Sequence, residues 1–153
     1  MWVLRRMKLL KIDKDLILDV YIKEIRSLAE QGVAIWHSGL TQAQSKDLEK
    51  IQKVALRIIL SNDYKNYEDA CNLFDLKTLL QRRIQLCTNF AIKLYRSDRS
   101  SEFFTHKQQR TNSRNNTQLV VETLSRTKRS YTAPHNYLAR LLNQNAARIK
   151  NSK

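Results

Sequence analysis

Lys46, Lys50, Lys53 and Arg57 are spaced to hold a polyanion. They recur at intervals of three and four residues, so at 100° per residue they share one narrow face of a helix. Leu48, Ile51, Ala55, Ile58 and Ile59 fall on the other side. One face asks for a core. The other suits nucleic-acid phosphates, which are contacted mainly by Lys and Arg and supply much of a binding protein's affinity. Asp47 and Glu49 flank the row, so an ordinary solvated face is the competing reading. The formal net charge of +14 favours a polyanionic partner, RNA or DNA.

Further cations extend this reading. Residues 96–153 hold 12 Lys/Arg against 3 Asp/Glu, whereas residues 1–95 hold 16 against 11. Arg126, Lys128 and Arg129 form a basic cluster within that last third. In the helix that starts near Thr78, Arg82 points outward while Arg83 projects from the middle of the apolar stripe. A guanidinium near a core must be paired or snorkel to its edge. Arg83 is therefore expected to be structural, paired with Glu68, Asp69 or Asp75, which leaves Arg82 for phosphate.

Catalytic patterns are absent from the sequence. There is no Gly-rich phosphate loop, no H-E-x-x-H, no G-x-S-x-G and no C-x-x-C. Two-metal polymerases and nucleases need clustered carboxylates, and Glu68-Asp69 is the only adjacent acidic pair. His37, His106 and His135 lie far apart. No catalytic residue, metal or cofactor is expected in this chain. Cys71 and Cys87 fall on apolar faces, too few for a disulfide framework and suited to a reducing compartment. Arg57 interrupts the best apolar run, and the first residues lack the apolar stretch of a signal peptide. The expectation is a soluble intracellular protein with no membrane partner.

The elements that must position these residues are helices. Gly occurs twice and Pro once; both residues break helices and make turns, so their scarcity predicts an all-α chain. Residues 2–11 alternate apolar and basic side chains. They read either as a first helix packed through Trp2 and its leucines, or as a basic amphipathic arm for nucleic acid or lipid. A central, mostly buried helix is predicted from Asp13 or Asp15 to about Gln31, stopped by Gly32, with Asp19–Lys23 and Arg26–Glu30 as i,i+4 pairs. Trp36 is expected to anchor the core. Thr41 caps the helix of the basic row, Asn66 a short helix, and Thr78 with Gln81 a helix to about Tyr95. Residues 96–116 lose all periodicity. Pro134 begins a last helix with Thr132 as candidate cap, its apolar face being Tyr137, Leu138, Leu141, Leu142 and Ile149. The result is a small bundle of about five to six helices: 1–95 as bundle, 96–132 as irregular basic linker, and 133–153 as C-terminal helix and tail.

Several stretches resemble the C-terminal end of the reverse transcriptase polyprotein of non-LTR (LINE-type, jockey-like) retrotransposons. They are L-R-R-M-K (Leu4–Lys8), D-L-I-L-D-V-Y-I-K-E-I-R-S-L-A-E (Asp15–Glu30) and W-H-S-G-L-T (Trp36–Thr41). Q-S-K-D-L-E-K-I-Q-K-V-A-L-R-I-I-L (Gln44–Leu60), Q-R-R-I-Q-L-C-T-N-F-A (Gln81–Ala91) and P-H-N-Y-L-A-R-L-L-N (Pro134–Asn143) continue in the family's order. The resemblance spans nearly the whole chain. It is most specific in W-H-x-G-L-T and the Q-S-x-x-L-E-x-x-Q-K that follows. It implies an all-α thumb and its extension, which grips template and primer, while the aromatic-x-Asp-Asp palm motif and the endonuclease residues belong upstream and are absent here. One departure is visible: where the family has E-Y-A-C-P-V-W, this chain has E-Q-G-V-A-I-W (Glu30–Trp36). The sequence thus reads as a non-catalytic, nucleic-acid-binding piece of an RNA-directed DNA polymerase. The other readings are a helical protein-interaction module, an inactive relic of such an element, or an accessory part that needs the remainder of the enzyme, its palm, in trans.

Overall fold

The computed structural model describes residues 1–106 and 118–150. The chain is all-α, and the single β-bridge among the described residues joins His106 to Val120. Two compact units emerge, Met1–Gly32 with Leu40–Arg83, and Val33–Gly39 with Ile84–Lys153. The divisions expected near residues 95 and 132 do not coincide with these units.

In the first unit, α1 (Trp2–Leu9) buries Leu4 but leaves Trp2 72% exposed. Packing of Trp2 against the core, one of the two expectations for this stretch, is therefore not found; the Arg6 guanidinium lies 5.8 Å from its ring centre instead. Next come α2 (Lys14–Val20), a π-helical segment (Tyr21–Arg26) and α3 (Ser27–Glu30), a run of helical residues that starts at Asp13, whose side chain accepts from Lys14 N. Gly32 follows with φ 64°, a left-handed conformation open to glycine at no steric cost. Ile17 and Tyr21 are buried, whereas Leu16 and Leu28 are exposed. This helix is thus less buried than predicted. The π turn shifts the angular phase, so a regular wheel misplaces Leu28 beyond it; the exposure of Leu16, which precedes it, has no such cause. Both expected pairs form, Asp19–Lys23 at 2.6 Å and Arg26–Glu30 at 3.3 Å.

In the second unit, α4 (Val33–Trp36) leads into a 3-10 turn (His37–Gly39). The other helices are named in chain order. α5 (Gln42–Leu60) and α6 (Tyr67–Leu73) belong to the first unit. α7 (Leu79–Tyr95) begins in the first unit and continues in the second, followed by α8 (Ser100–Phe103), α9 (Lys128–Tyr131), α10 (Pro134–Gln144) and α11 (Ala146–Lys150). The core of the second unit gathers Val33, Cys87, Ala91, Phe104, Val120, Leu138, Leu141 and Leu142, with Trp36 half-buried against it. Phe104 pins the otherwise aperiodic stretch after α7, and Phe103 stays outside. Asn143 clamps the returning segment: its Oδ1 accepts from the amides of Leu119 and Val120, and its Nδ2 donates to Val120 O at 3.1 Å. Thr132 does not cap α10. Ala133 holds that position, and the Thr132 hydroxyl donates back to Lys128 O at the end of α9.

Candidate nucleic-acid interface

The basic row rides on α5, and α5 is fixed from its ends and from beneath. Thr41 and Gln44 form a reciprocal capping box at its start, which satisfies two of the amides that every helix N-terminus leaves open. At its other end Lys8 Nζ donates to Ile59 O at 2.8 Å, a cation placed where last-turn carbonyls want one. The buried side of α5 is Gln52, Ala55, Leu56, Ile59 and Leu60. Leu48, Ile51 and Ile58, expected at the core, are only half-buried. The inner face is therefore rotated, with a polar residue at its middle.

That residue, Gln52, has no exposed surface. Its Oε1 accepts from Tyr21 Oη at 3.1 Å, and its Nε2 lies within hydrogen-bond distance of Tyr67 Oη at 3.1 Å and Lys77 O at 3.0 Å. One amide thus ties the π segment and α6 to α5. Glu49 performs a related task. It accepts from the amides of Leu79 (3.0 Å) and Leu80 (3.1 Å) at the start of α7, and from the Tyr67 hydroxyl. Its charge is held by the amides at a helix N-terminus, a partner beyond the basic row that it was expected to flank. Burial, then the Glu49 hydrogen bond and charge, push the Tyr67 hydroxyl well above its ordinary pKa; burial does the same at Tyr21. Neither Gln52 nor Glu49 was foreseen as a hub. A lone Gln among Ile, Val and Leu was the only available signal.

On the outer side Lys46, Lys50, Lys53 and Arg57 are all exposed. Lys50 Nζ meets Asp47 Oδ1 at 2.7 Å, with both side chains about two-thirds in solvent, where such pairs contribute little. Lys53 Nζ lies 5.1 Å from the Tyr67 ring centre and the Arg57 guanidinium 5.3 Å from that of Tyr64. Aromatic faces hold these two cations without neutralising them. Lys46 borders a surface hollow of about 340 Å³ shared with Ser45, Glu49 and Tyr67.

Arg82 needs a correction. Its Nε is bound by Glu30 Oε1 at 3.2 Å, and Arg26 meets the same carboxylate oxygen. This ion pair joins the first turn of α7 to the end of α3. Arg83 is buried, 1% exposed, and its Nη2 donates to Ser45 Oγ at 2.7 Å, a partner that the spacing of charges could not suggest. Of the carboxylates proposed for it, Asp69 accepts from Asn66 Nδ2 at 2.7 Å beside the cap of α6.

The second basic cluster belongs to the other unit. Arg126, Lys128 and Arg129 are exposed, the last two on α9, which Thr127 caps. Buried Asn136 holds this segment by donating to Ser130 O at 2.8 Å, and it also accepts from Thr123 Oγ1. The row on α5 and this cluster are therefore positioned by separate cores.

Cys71 and Cys87 are buried free thiols. His37 stacks obliquely on Tyr137, and His106 on Tyr95 with its Nε2 2.9 Å from Ser100 Oγ. Among the described residues no three His, Cys, Asp or Glu side chains gather as a metal site, and no helix is long and apolar enough to cross a membrane. No protein-family model matches the chain, and neither a curated protein nor a solved structure matches it.

Proposed function

We propose that this chain binds RNA or DNA through its phosphate backbone, without catalysis of its own. We further propose that it corresponds to the thumb and post-polymerase region of a non-LTR retrotransposon reverse transcriptase. The observation that carries the binding reading is the outer face of α5. Four exposed cations follow one another along twelve residues of helix, a length of about 16 Å. A duplex presents about one charge per 1.7 Å of its axis, so the row spans several phosphates at once. Arg126, Lys128 and Arg129 add a second contact. Arg82, tied to Glu30, serves the fold more than the ligand. The family assignment is supported only by the sequence blocks quoted above, among them the W-H-x-G-L-T turn, the residues of α5 and the start of α10.

A salt-series gel shift tests the binding reading, with duplex DNA, an RNA–DNA hybrid and a single strand as probes. Four phosphate contacts on a duplex give a log–log salt slope of about −3 to −4 from α5 alone. Reversing all four charges to Glu abolishes that contribution. A slope near zero, or unchanged affinity after reversal, sinks the proposal and leaves a helical interaction module or an inactive relic. Primer extension that appears only when a polymerase palm is added would identify an accessory part acting in trans.

A further inference from the structure

The second unit carries an open apolar groove that the phosphate-binding reading does not use. It runs between Phe90 and Leu94 of α7 and Pro134 and Leu138 of α10, with Ile35 of α4 and Phe103 of α8 at its edges, and encloses about 450 Å³. That volume lies in the range of working ligand sites, about 300–1,000 Å³. The edges are open to solvent: Ile35 is 71%, Phe103 51% and Phe90 45% exposed. Large apolar side chains at such exposure, gathered round one hollow, mark an interaction surface.

Its occupant can be argued by elimination and by charge. Residues 107–117 and 151–153 contain no aliphatic or aromatic side chain, so those stretches of the chain have nothing to fill an apolar groove. A second copy would bring another +14 and be repelled. A nucleobase would strand its polar edges, because His135 is the only polar side chain in the lining, and an unsatisfied polar group is costly to bury. Among the described side chains of the surrounding unit, residues 33–39 and 84–153, 7 are Lys/Arg and 3 Asp/Glu. Exposed Lys93 adjoins Leu94, and exposed Arg99 directly precedes α8. Two helices forming the walls of an apolar trough receive a third through side chains spaced at i, i+3, i+4 and i+7.

We propose that this groove docks an acidic amphipathic helix of a partner protein, apolar anchors inward and carboxylates toward the cations of the unit. The inference does not rest on the α5 row, which belongs to the first unit, although Arg126, Lys128 and Arg129 of the second phosphate contact lie in the same unit as the groove. Two labelled synthetic helices test it on the full chain by fluorescence anisotropy. One is Glu-rich with Leu and Phe at i, i+4 and i+7; the other has Ala at those three positions. The anchored peptide should bind about tenfold tighter or better, a difference typical of buried apolar anchors, and the ratio should persist as salt weakens both. Phe90→Gln and Phe103→Gln, at positions exposed enough to keep the fold, should each remove most of that advantage, with unchanged far-UV circular dichroism. Ile35→Glu should weaken the anchored peptide as well. Equal binding of the two peptides overturns the proposal, as does an unaffected response in all three variants. Loss of single-stranded oligonucleotide binding in the Phe variants, with peptide binding intact, also overturns it.

Discussion

Gln52 makes its polar contacts with no solvent to replace them, so its substitution weighs hydrogen bonding directly against packing. Leu fits the site roughly but removes the acceptor of Tyr21 and the donor to Lys77 O. Each buried group stranded this way costs about 1–3 kcal/mol, so Gln52→Leu should lower the urea midpoint despite being more hydrophobic; an unchanged or higher midpoint would show the network to be dispensable. The tyrosines supply a second expectation. Burial, first of the causes in each case, raises the Tyr21, Tyr67 and Tyr137 hydroxyls above their ordinary value, that of Tyr137 to about 12. A folded-state pKa above the unfolded one, about 10 for Tyr, stabilises the fold fully below that pH and loses its contribution as pH climbs toward the folded value. Stability should therefore decline above about pH 10. Phenolate absorbance should show three of the six tyrosines ionising late. Ionisation of all three at the ordinary value would mean that these hydroxyls meet water. At the other end of the scale the Lys14 hydrogen bond and charge hold the Asp63 carboxyl below its usual range, a contribution present above the unfolded pKa and lost as pH falls through the folded one.

At the scale of elements, what could be read from the sequence was local and what could not be read was tertiary. Thr41, Asn66 and the Thr78–Gln81 box act on amides within three residues of themselves, and all were legible. Gly32 at positive φ was legible for the same reason. The π segment was not, because its sequence, Y-I-K-E-I-R, is compatible with an ordinary helix and only packing selects the wider turn. The capture of Arg82 by Glu30 joins residues 52 apart in sequence, and the inward turn of Glu49 joins α5 to α7. Neither has a local signature. The row on α5 was therefore placed correctly as a face, while the role of its neighbours was not. Two substitutions separate these levels. Thr41→Ala removes a local cap and should cost about 0.5–2 kcal/mol in thermal or urea unfolding. Asn143→Leu removes a tertiary clamp. It should speed hydrogen exchange at the Leu119 and Val120 amides, which that side chain holds at 2.9 and 3.2 Å, with little change at α5. Uniform loss of protection through both units would mean that the clamp supports more than its own segment.

For the molecule as a whole, a net charge of +14 acts on folding and on binding in opposite directions. Exposed like charges within one chain repel, and compaction works against that repulsion. Salt screens it, with a Debye length that shrinks from about 30 Å at 0.01 M to about 10 Å at 0.1 M. Ion pairs among the described residues include a tight group around Glu30, but Lys14–Asp63, Lys23–Asp19 and Lys50–Asp47 are solvent-exposed, so screening them forfeits little stability. Raising salt should therefore increase the melting temperature of the free protein. The same addition should weaken its grip on a duplex, by about three to four decades for each tenfold rise in salt if the α5 row makes four contacts. Differential scanning calorimetry and a gel shift over one salt series measure both trends. With Lys46, Lys50, Lys53 and Arg57 reversed to Glu, the formal charge falls by eight. The free protein should then respond less to salt in its melting temperature and lose the steep salt slope of binding, both from one change on a solvated face. A variant that loses the binding slope but melts much lower at every salt concentration would instead place those four side chains in the support of the fold.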